Sequence, residues 1–369
     1  MANVLNKIQK LESELNGAVK ERQTEIRGML SAMLSGNHVL LLGPPGTGKS
    51  LLTNKLCACL EGSEYFQWLL TKFSNPEEVF GPYNLPALKQ GKYERVTDGK
   101  FPQAHVAFLD EIFKANSAIL NSLLTGLNER KFHDGQKAKD IPLLFCVGAS
   151  NELPQGEELG ALYDRFPLRY WVDYVEDDQA FSDILRGNLS EPTVRVTLEE
   201  LKQAQEEVKA VTISDDLIET VIQVRHLLTK KGINVSDRRW RVAMGILKAH
   251  AYLRGSNAVE LEDFELLFDI LWDEPSQRKE IQSLLSRRIF PMKFKAMELL
   301  DAAAEVMEAT EKVSWEMIAV QAAHKQLLEI KKKISDEISG RNLSLVAPLI
   351  DAQTTIDAHI SILSKKVFG

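Results

Sequence analysis

Little in this sequence supports a disulfide scaffold, a zinc cage, export or a membrane span. There are three cysteines, Cys57, Cys59 and Cys146, an odd and sparse number that argues against a disulfide framework and fits a reducing compartment. Cys57 and Cys59 are closely spaced, but no second Cys/His pair completes a zinc site. No stretch approaches the roughly 18 consecutive apolar residues of a membrane span. The opening MANVLNKIQKLESEL lacks the basic and then apolar regions of a secretory signal, so the expected location is cytoplasmic. Surplus positive charge is also missing: the net charge is −7, which removes any global pull toward nucleic acid. No repeat of 20–50 residues appears, so a solenoid is not expected.

The chain does have apolar residues in quantity, 44% of 369, enough for two or three globular domains. Val39 to Leu42, Tyr65 to Leu70, Val106 to Leu109 and Leu143 to Val147 read as short apolar strands. Residues 4–34, with a break near Gly17, and residues 51–60 and 118–129 read as helices between or before them. Strands alternating with helices predict a parallel sheet covered on both faces, an α/β fold. Residues 75–102, rich in proline and glycine, interrupt the alternation, with Lys92 to Val96 expected as a hairpin arm. Past about residue 190 the periodicity is helical throughout: 198–211, 215–231, 237–254 and 260–272 predict a small all-α domain. Gly232 and Gly255 stand where helix C-caps belong. Beyond Pro275, Leu327, Ile330, Ile334 and Ile338 share one helical face. Leu349, Ile356, Ile360, Leu363 and Val367 share another, and Gly340 separates the two. This predicts a C-terminal helical hairpin or bundle. The expected domains are 1–188, 189–274 and 275–369.

The chemistry is concentrated at strand ends. Residues 43–50 read GPPGTGKS, directly after an apolar strand and before a helix, the context that a phosphate-binding loop requires. Gly46 and Gly48 let the backbone turn its N–H groups toward phosphate oxygens without a Cβ in the way. The helix N-terminus adds partial positive charge. The expected nucleotide contacts are Gly43, Pro44, Pro45, Gly46, Thr47, Gly48, Lys49, Ser50 and Leu51. Lys49 should reach the β- and γ-phosphates, and the Ser50 hydroxyl should bind Mg²⁺. Val106 to Glu111 reads VAFLDE, an apolar strand ending in two carboxylates. Asp110 is the second expected Mg²⁺ residue, and Glu111 the base that takes a proton from the attacking water. Asn151, at the tip of the next apolar strand, is a candidate to orient that water. Glu152 beside it reads as structural.

Taken in order, these elements resemble an AAA+ ATPase: Walker A at 43–50, Walker B at 106–111 and sensor 1 at Asn151. That resemblance implies a P-loop AAA+ αβα core followed by an all-α lid, with ATP and Mg²⁺ as ligands. It also implies an arginine finger at Arg165, within Leu162 to Phe166, that acts on a neighbouring protomer's nucleotide. A sensor 2 arginine is expected at Arg238, with Arg239 as the alternative. Within the AAA+ proteins the chain resembles the MoxR group, and in it the RavA subfamily, on the motifs GPPGTGKS, TKFSNPEEVFGP, KYERV, FLDEI, ILNSLLTGLNER, ASNELP, ALYDRF and VSDRRW. These span about residues 35–245. The resemblance implies a helix-2 insert within 75–102, a homo-oligomeric ring, expected to be a hexamer, and a partner protein with a von Willebrand factor A domain. Past about residue 275 the chain departs from that subfamily, whose tail carries a small β-rich domain within a helical bundle.

Three functions compete. The first is a chaperone-like remodelling ATPase, in which hydrolysis moves 190–272 against the core. The second is a motor on nucleic acid, for which Lys89, Lys92, Arg95 and Lys100 offer a modest basic cluster. The acidic overall charge and the lack of a nucleic-acid-binding module count against it. The third is a scaffold whose nucleotide site only sets assembly. No Asn-Lys-x-Asp element that would read guanine is present.

Overall fold

The computed structural model describes residues 2–134, 137–313, 315–339 and 346–368. The chain divides into two compact units, Met1–Arg278 and Lys279–Gly369.

The first unit opens with α1 (Ala2–Ala18) and α2 (Gln23–Leu34), separated by a turn at Glu21, which sits at φ +52°. Then come β1 (Val39–Leu42), the phosphate-loop segment, α3 (Lys49–Ala58), β2 (Leu60–Glu61) and β3 (Tyr65–Leu69). Two short helices follow, α4 (Pro76–Phe80) and α5 (Leu85–Leu88), and then β4 (Val106–Asp110) and α6 (Ser117–Glu129). A hairpin of β5 (Lys131–Asp134) and β6 (Lys137–Asp140) leads to β7 (Phe145–Ser150), α7 (Glu157–Tyr163), β8 (Leu168–Trp171) and α8 (Asp178–Arg186).

β3, β4, β7, β1 and β8, in that order, form one sheet in which every pair is parallel. β1 and β7 are buried at every residue, and β4 at all but Asp110. Strands with no polar face need cover on both sides, and α2 lies on β1 and β8 while α3 lies on β4 and β7. The edge strand β3 alternates exposed and buried positions instead.

The segment 75–102 folds differently from the expected hairpin arm. Asn75 and Asn84 cap α4 and α5, each with proline in its first turn. The two sides meet around the antiparallel bridge Tyr83–Arg95, with Asn84 N–H on Glu94 O and Val96 N–H on Pro82 O. The pairing stops there because Pro82 has no N–H to return to Val96; the Arg95 N–H, on the other side of its strand, goes to the Asp134 carboxylate at 2.8 Å. β8 was not anticipated, because Arg169 interrupts its apolar run. That guanidinium is fully buried and donates to the carbonyls of Phe166, Trp272 and Tyr163.

The helices past residue 190 begin after β9 (Val196–Thr197), which pairs with β2. They are α9 (Leu198–Ala210), α10 (Asp215–Lys230) and α11 (Asp237–Arg254). Side chains of Thr197, Ser214 and Ser236 cap them. Gly255 is the left-handed C-cap of α11, and Gly232 adopts φ +78° just past α10. Leu261–Asp269, expected as α-helix, is 3₁₀: the Asp263 carboxylate accepts the Glu260 N–H at 2.8 Å and is held by His250 and Arg254. α9 and α11 pack on α1 and α2, and Lys7 pairs with Glu200 at 2.6 Å. Core and helical region therefore share the first unit.

α12 (Pro275–Ile289) spans the division. In the second unit α13 (Pro291–Lys312), α14 (Met317–Ile338) and α15 (Ala347–Phe368) pack together. Leu327, Ile330, Ile334, Leu349, Ile356 and Leu363 form its core, with Ile338 and Ile360 at the margin. Gly340 and the Val367 side chain lie outside the described residues.

Candidate active site

The loop after β1 is held open by its glycines. Gly43, Gly46 and Gly48 have φ of +140°, +81° and +85°, values that side-chain-bearing residues rarely adopt. The Gly43 N–H donates to the Ser150 carbonyl at 3.2 Å, and the Val172 N–H to the Leu42 carbonyl at 2.7 Å. The loop is thereby tied to both neighbouring strands. Among the described residues, none accepts a hydrogen bond from the Gly46, Thr47 or Gly48 N–H. These donors, at the start of α3, form a nest that suits an anion. The Lys49 ammonium lies back across the loop and donates to the carbonyls of Gly43 at 2.9 Å and Pro44 at 2.7 Å. Burial holds it below the usual lysine range, against the opposing charges of Asp110 and Glu111.

Asp110 ends β4 two strands away. Burial pushes its carboxyl above the usual aspartate range, and the Glu111 N–H bond at 3.0 Å opposes that rise. Glu111 sits at φ +52°, a strained left-handed conformation. It turns the chain sharply, and its Oε2 lies 3.2 Å from the Lys114 ammonium, a neighbour that sequence reading did not single out. Ser150 ends β7. Its hydroxyl donates to Glu152 O at 2.9 Å and accepts the Glu152 N–H at 3.1 Å, which brackets the exposed Asn151 at the strand tip. Lys49, Asp110, Glu111 and Asn151 thus share the carboxyl edge of the sheet, where open α/β sheets place ligands.

Beside the loop lies a cavity of about 260 Å³ whose apolar walls include Val19, Leu51, Val175, Phe181 and Ile184. This explains why α8 shows Phe181 half-exposed. Arg22 forms part of the wall. It is 6% exposed and donates to Glu21 O at 2.6 Å, to Thr47 O at 3.2 Å and to Asp173 O. Among the described residues no carboxylate pairs with it. Arg22 was missed in the sequence because it falls in the break between two helices, 25 residues before the loop carbonyl that it holds.

Arg165 and Arg238 are elsewhere. Arg165 precedes β8 and so lies at the amino edge of the sheet. β8 alone separates it from the carboxyl edge by about 13 Å at 3.3 Å per residue. Arg165, Arg238, Arg130 and Arg241 line one cavity of about 530 Å³ with His38 and Asp164. Burial, the Arg238 charge and a weaker opposing pull from Asp164 set Arg165 below the usual arginine range. Its buried Nε has no hydrogen-bond partner. Arg238 is exposed. Arg239, the alternative sensor, is 5% exposed and engaged by Asp164 at 3.1 Å and Asp273 at 2.8 Å. A single chain therefore carries its phosphate loop and its two candidate arginines at opposite ends of the sheet.

The residues present fit Mg²⁺. Among the described residues no group of three or more His, Cys, Asp or Glu forms a metal cage. Ser50 and Asp110 offer two hard oxygen donors, as suits a small cation that keeps water and phosphate oxygens as its other ligands.

The chain is similar to known proteins over most of its length. The model of the MoxR domain in MoxR–vWA–beta-propeller ternary systems matches residues 6–213, and that of an AAA lid domain matches residues 216–285. Two proteins of Methanocaldococcus jannaschii, both described as uncharacterized, are 37% identical over 276 residues and 34% identical over 336 residues. The first alignment covers 74% of this chain and 72% of the relative, the second 89% and 88%. The chaperone MoxR1 of Mycobacterium tuberculosis is 26% identical over 265 residues, 67% of this chain and 69% of that one. The crystal structure of a candidate ATPase from Cytophaga hutchinsonii shares the fold, with a TM-score of 0.63 at 20% identity over 77% of this chain and 94% of that one. With the MoxR-domain model matching residues 6–213, more than half of the chain, and with the phosphate loop, paired carboxylates and parallel sheet described above, the chain belongs to the MoxR family of AAA+ ATPases.

Proposed function

We propose that the protein hydrolyses Mg-ATP at sites completed between protomers of a homo-oligomeric ring, and that the cycle remodels or assembles a partner protein. The observation that carries this reading is the separation just described. Lys49, Asp110, Glu111 and Asn151 share one edge of the sheet, while Arg165 and Arg238 lie at the other with their charges turned to a solvent-open cavity. Arginines so far from their own phosphate loop serve a neighbour's in a closed head-to-tail ring, for which a hexamer is the expected size.

In this mechanism the N–H groups of the loop and the Lys49 ammonium bind the phosphates, and the apolar cavity between α1, α3 and α8 takes the base. Ser50 and Asp110 would hold Mg²⁺, which when bound neutralises charge on the β- and γ-phosphates. Glu111 accepts the proton of the attacking water at its carboxylate, with Lys114 holding that carboxylate at the site. Asn151 orients the water. Arg165 and Arg238 of the neighbour donate to the γ-phosphate as charge develops.

A partner with a von Willebrand factor A domain is the class favoured by the matching family description. The likeness to RavA rests on the motifs alone. The nucleic-acid reading loses support, since two of the four residues in its basic cluster are committed inward. Arg95 donates to Gly81 O and stacks on Tyr83, and Lys100 donates to Glu78 O and covers Trp68. No helix among the described residues is long and apolar enough to cross a membrane, in keeping with a cytoplasmic site of action. The test is phosphate release by the purified chain. Lys49→Ala should lose nucleotide binding, whereas Glu111→Gln should bind and not turn over. Full turnover by Glu111→Gln would remove it as the base.

A further inference from the structure

Asp164 and Arg165 are chain neighbours at the end of α7, where an acid and a base would ordinarily neutralise one another. Here they do not pair. Asp164 Oδ1 meets Arg239 Nη2 at 3.1 Å and accepts the Ser236 hydroxyl at 3.2 Å, both from the start of α11. Among the described residues no carboxylate forms an ion pair with Arg165, and its buried Nε has no acceptor.

Arg239 carries a second ion pair, although neither its Nη1 nor its Nε is in hydrogen-bond geometry with a described residue. Its Nη1 lies 2.8 Å from Asp273 Oδ1, which also takes Arg169 Nη1 at 2.8 Å. Asp273 is in turn tied to α7, because the Tyr163 hydroxyl donates to its carbonyl at 2.7 Å. The Arg169 guanidinium lies 3.5 Å over the Tyr163 ring and donates to the Tyr163 carbonyl at 3.1 Å. Acids and bases therefore alternate, Asp164–Arg239–Asp273–Arg169, with Arg239 as the one member bound to both acids. A buried guanidinium with a planar fork suits that bridging position, and removing it frees an acid beside Arg165.

We propose that Arg239 is a positioning residue for Arg165: it claims the Asp164 carboxylate, which leaves the Arg165 charge unneutralised and fixes the end of α7 to the start of α11. This rests on the reading of Arg165 as a group that acts on a neighbour's nucleotide. Arg238, next to Arg239 on the same helix turn, is carried in the same rigid assembly, so the two free arginines face the neighbour together.

Mixed assemblies of full-length chains test this. Glu111→Gln protomers supply Arg165 but no turnover, and Arg165→Ala protomers supply turnover but no arginine. Mixed in equal amounts, they should recover about a quarter of wild-type turnover, because half of the sites meet half of the arginines by chance. Replacing the first partner by Glu111→Gln/Arg239→Gln should lower that recovery at least about tenfold. Arg239→Lys in the same place should retain most of it, since one charge still occupies Asp164. Adding Asp164→Asn to the Arg239→Gln protomer should restore part of the activity, because no acid then remains to neutralise Arg165. A fold broken by losing Arg239 is not mended by removing Asp164, so this arm separates misfolding from neutralisation. Undiminished recovery with Arg239→Gln, or no restoration by Asp164→Asn, overturns the role of Arg239. Failure of the first pair to complement at all overturns the inter-protomer reading, and the proposal with it.

Discussion

Replacing Gly43 by alanine isolates how the phosphate loop is anchored. A Cβ built on Gly43 falls 2.1 Å from the Val172 carbonyl oxygen and 3.1 Å from its carbon. The obstacle is backbone at the end of β8, so no side chain can swing away to relieve it. Overpacking of this kind costs about 1–3 kcal/mol. Holding alanine in a left-handed conformation adds about 1–2 kcal/mol, for a total of about 2–5 kcal/mol. Gly46 and Gly48 are the controls: a Cβ at either meets nothing within 4 Å, and only the positive φ remains. Their alanine variants should therefore lose about 1–2 kcal/mol each. Relief at Gly43 means parting the loop from β8, and with it the Gly43–Ser150 tether. Gly43→Ala should also weaken ADP binding by about tenfold for each 1.4 kcal/mol needed to restore the loop. Stability is read from urea unfolding without nucleotide, and affinity from calorimetric titration of ADP. If Gly43→Ala is no less stable than Gly46→Ala and Gly48→Ala, the loop is not pinned against β8 and this reasoning fails.

Arg22→Met removes the donors that hold the Thr47 and Asp173 carbonyls, bonds from a charged group worth about 2 kcal/mol in total net terms. It should weaken ADP binding as well as lower stability, and unchanged ADP affinity would reduce Arg22 to a structural strut. Asp263 is buried, which by itself raises its carboxyl. The bonds from His250, Arg254 and the Glu260 N–H outweigh that and leave it below the usual 3.8. Its stabilising effect is thus present above pH 3.8 and lost as pH falls through the lower folded value. Asp263→Asn should destabilise the chain at neutral pH and lose that effect in acid, which pH-resolved urea melts would show. All three thiols are buried, and burial pushes each above the usual cysteine range. An aromatic disulfide reagent should label none in the folded protein and all three after denaturation; rapid labelling of native protein would contradict the burial.

Much of the core was legible in advance because its strands are buried on both faces. A stretch such as Val39–Leu42 or Val106–Leu109 needs apolar side chains at every position, and that pattern is visible in a linear text. β8 was hidden by one residue, Arg169, whose charge is satisfied by carbonyls and an acid more than a hundred residues away in Trp272 and Asp273. The hairpin expected at Lys92–Val96 was limited to a bridge by the missing N–H of Pro82. Of the site, Lys49 was marked by the phosphate-loop motif, and Asp110, Glu111 and Asn151 stand at or just past strand ends, where their order after that loop suggested them. Arg22 and Lys114 lacked such a marker.

What the residues settled by themselves is local: the glycines that permit positive φ, the serine and threonine caps, the unbroken apolar strands, and the phosphate-loop text that follows the first of them. These depend on contacts within a few positions of the chain, so composition and spacing carry them. Which arginine is free was decided only in three dimensions. Arg165, Arg238 and Arg239 are chemically alike and close in kind of neighbour. Tertiary packing sets Asp164 and Asp273 on either side of Arg239 and, among the described residues, leaves Arg165 and Arg238 without an ion-paired carboxylate. Charge pairing is settled by distance through space, and a sequence records only distance along the chain.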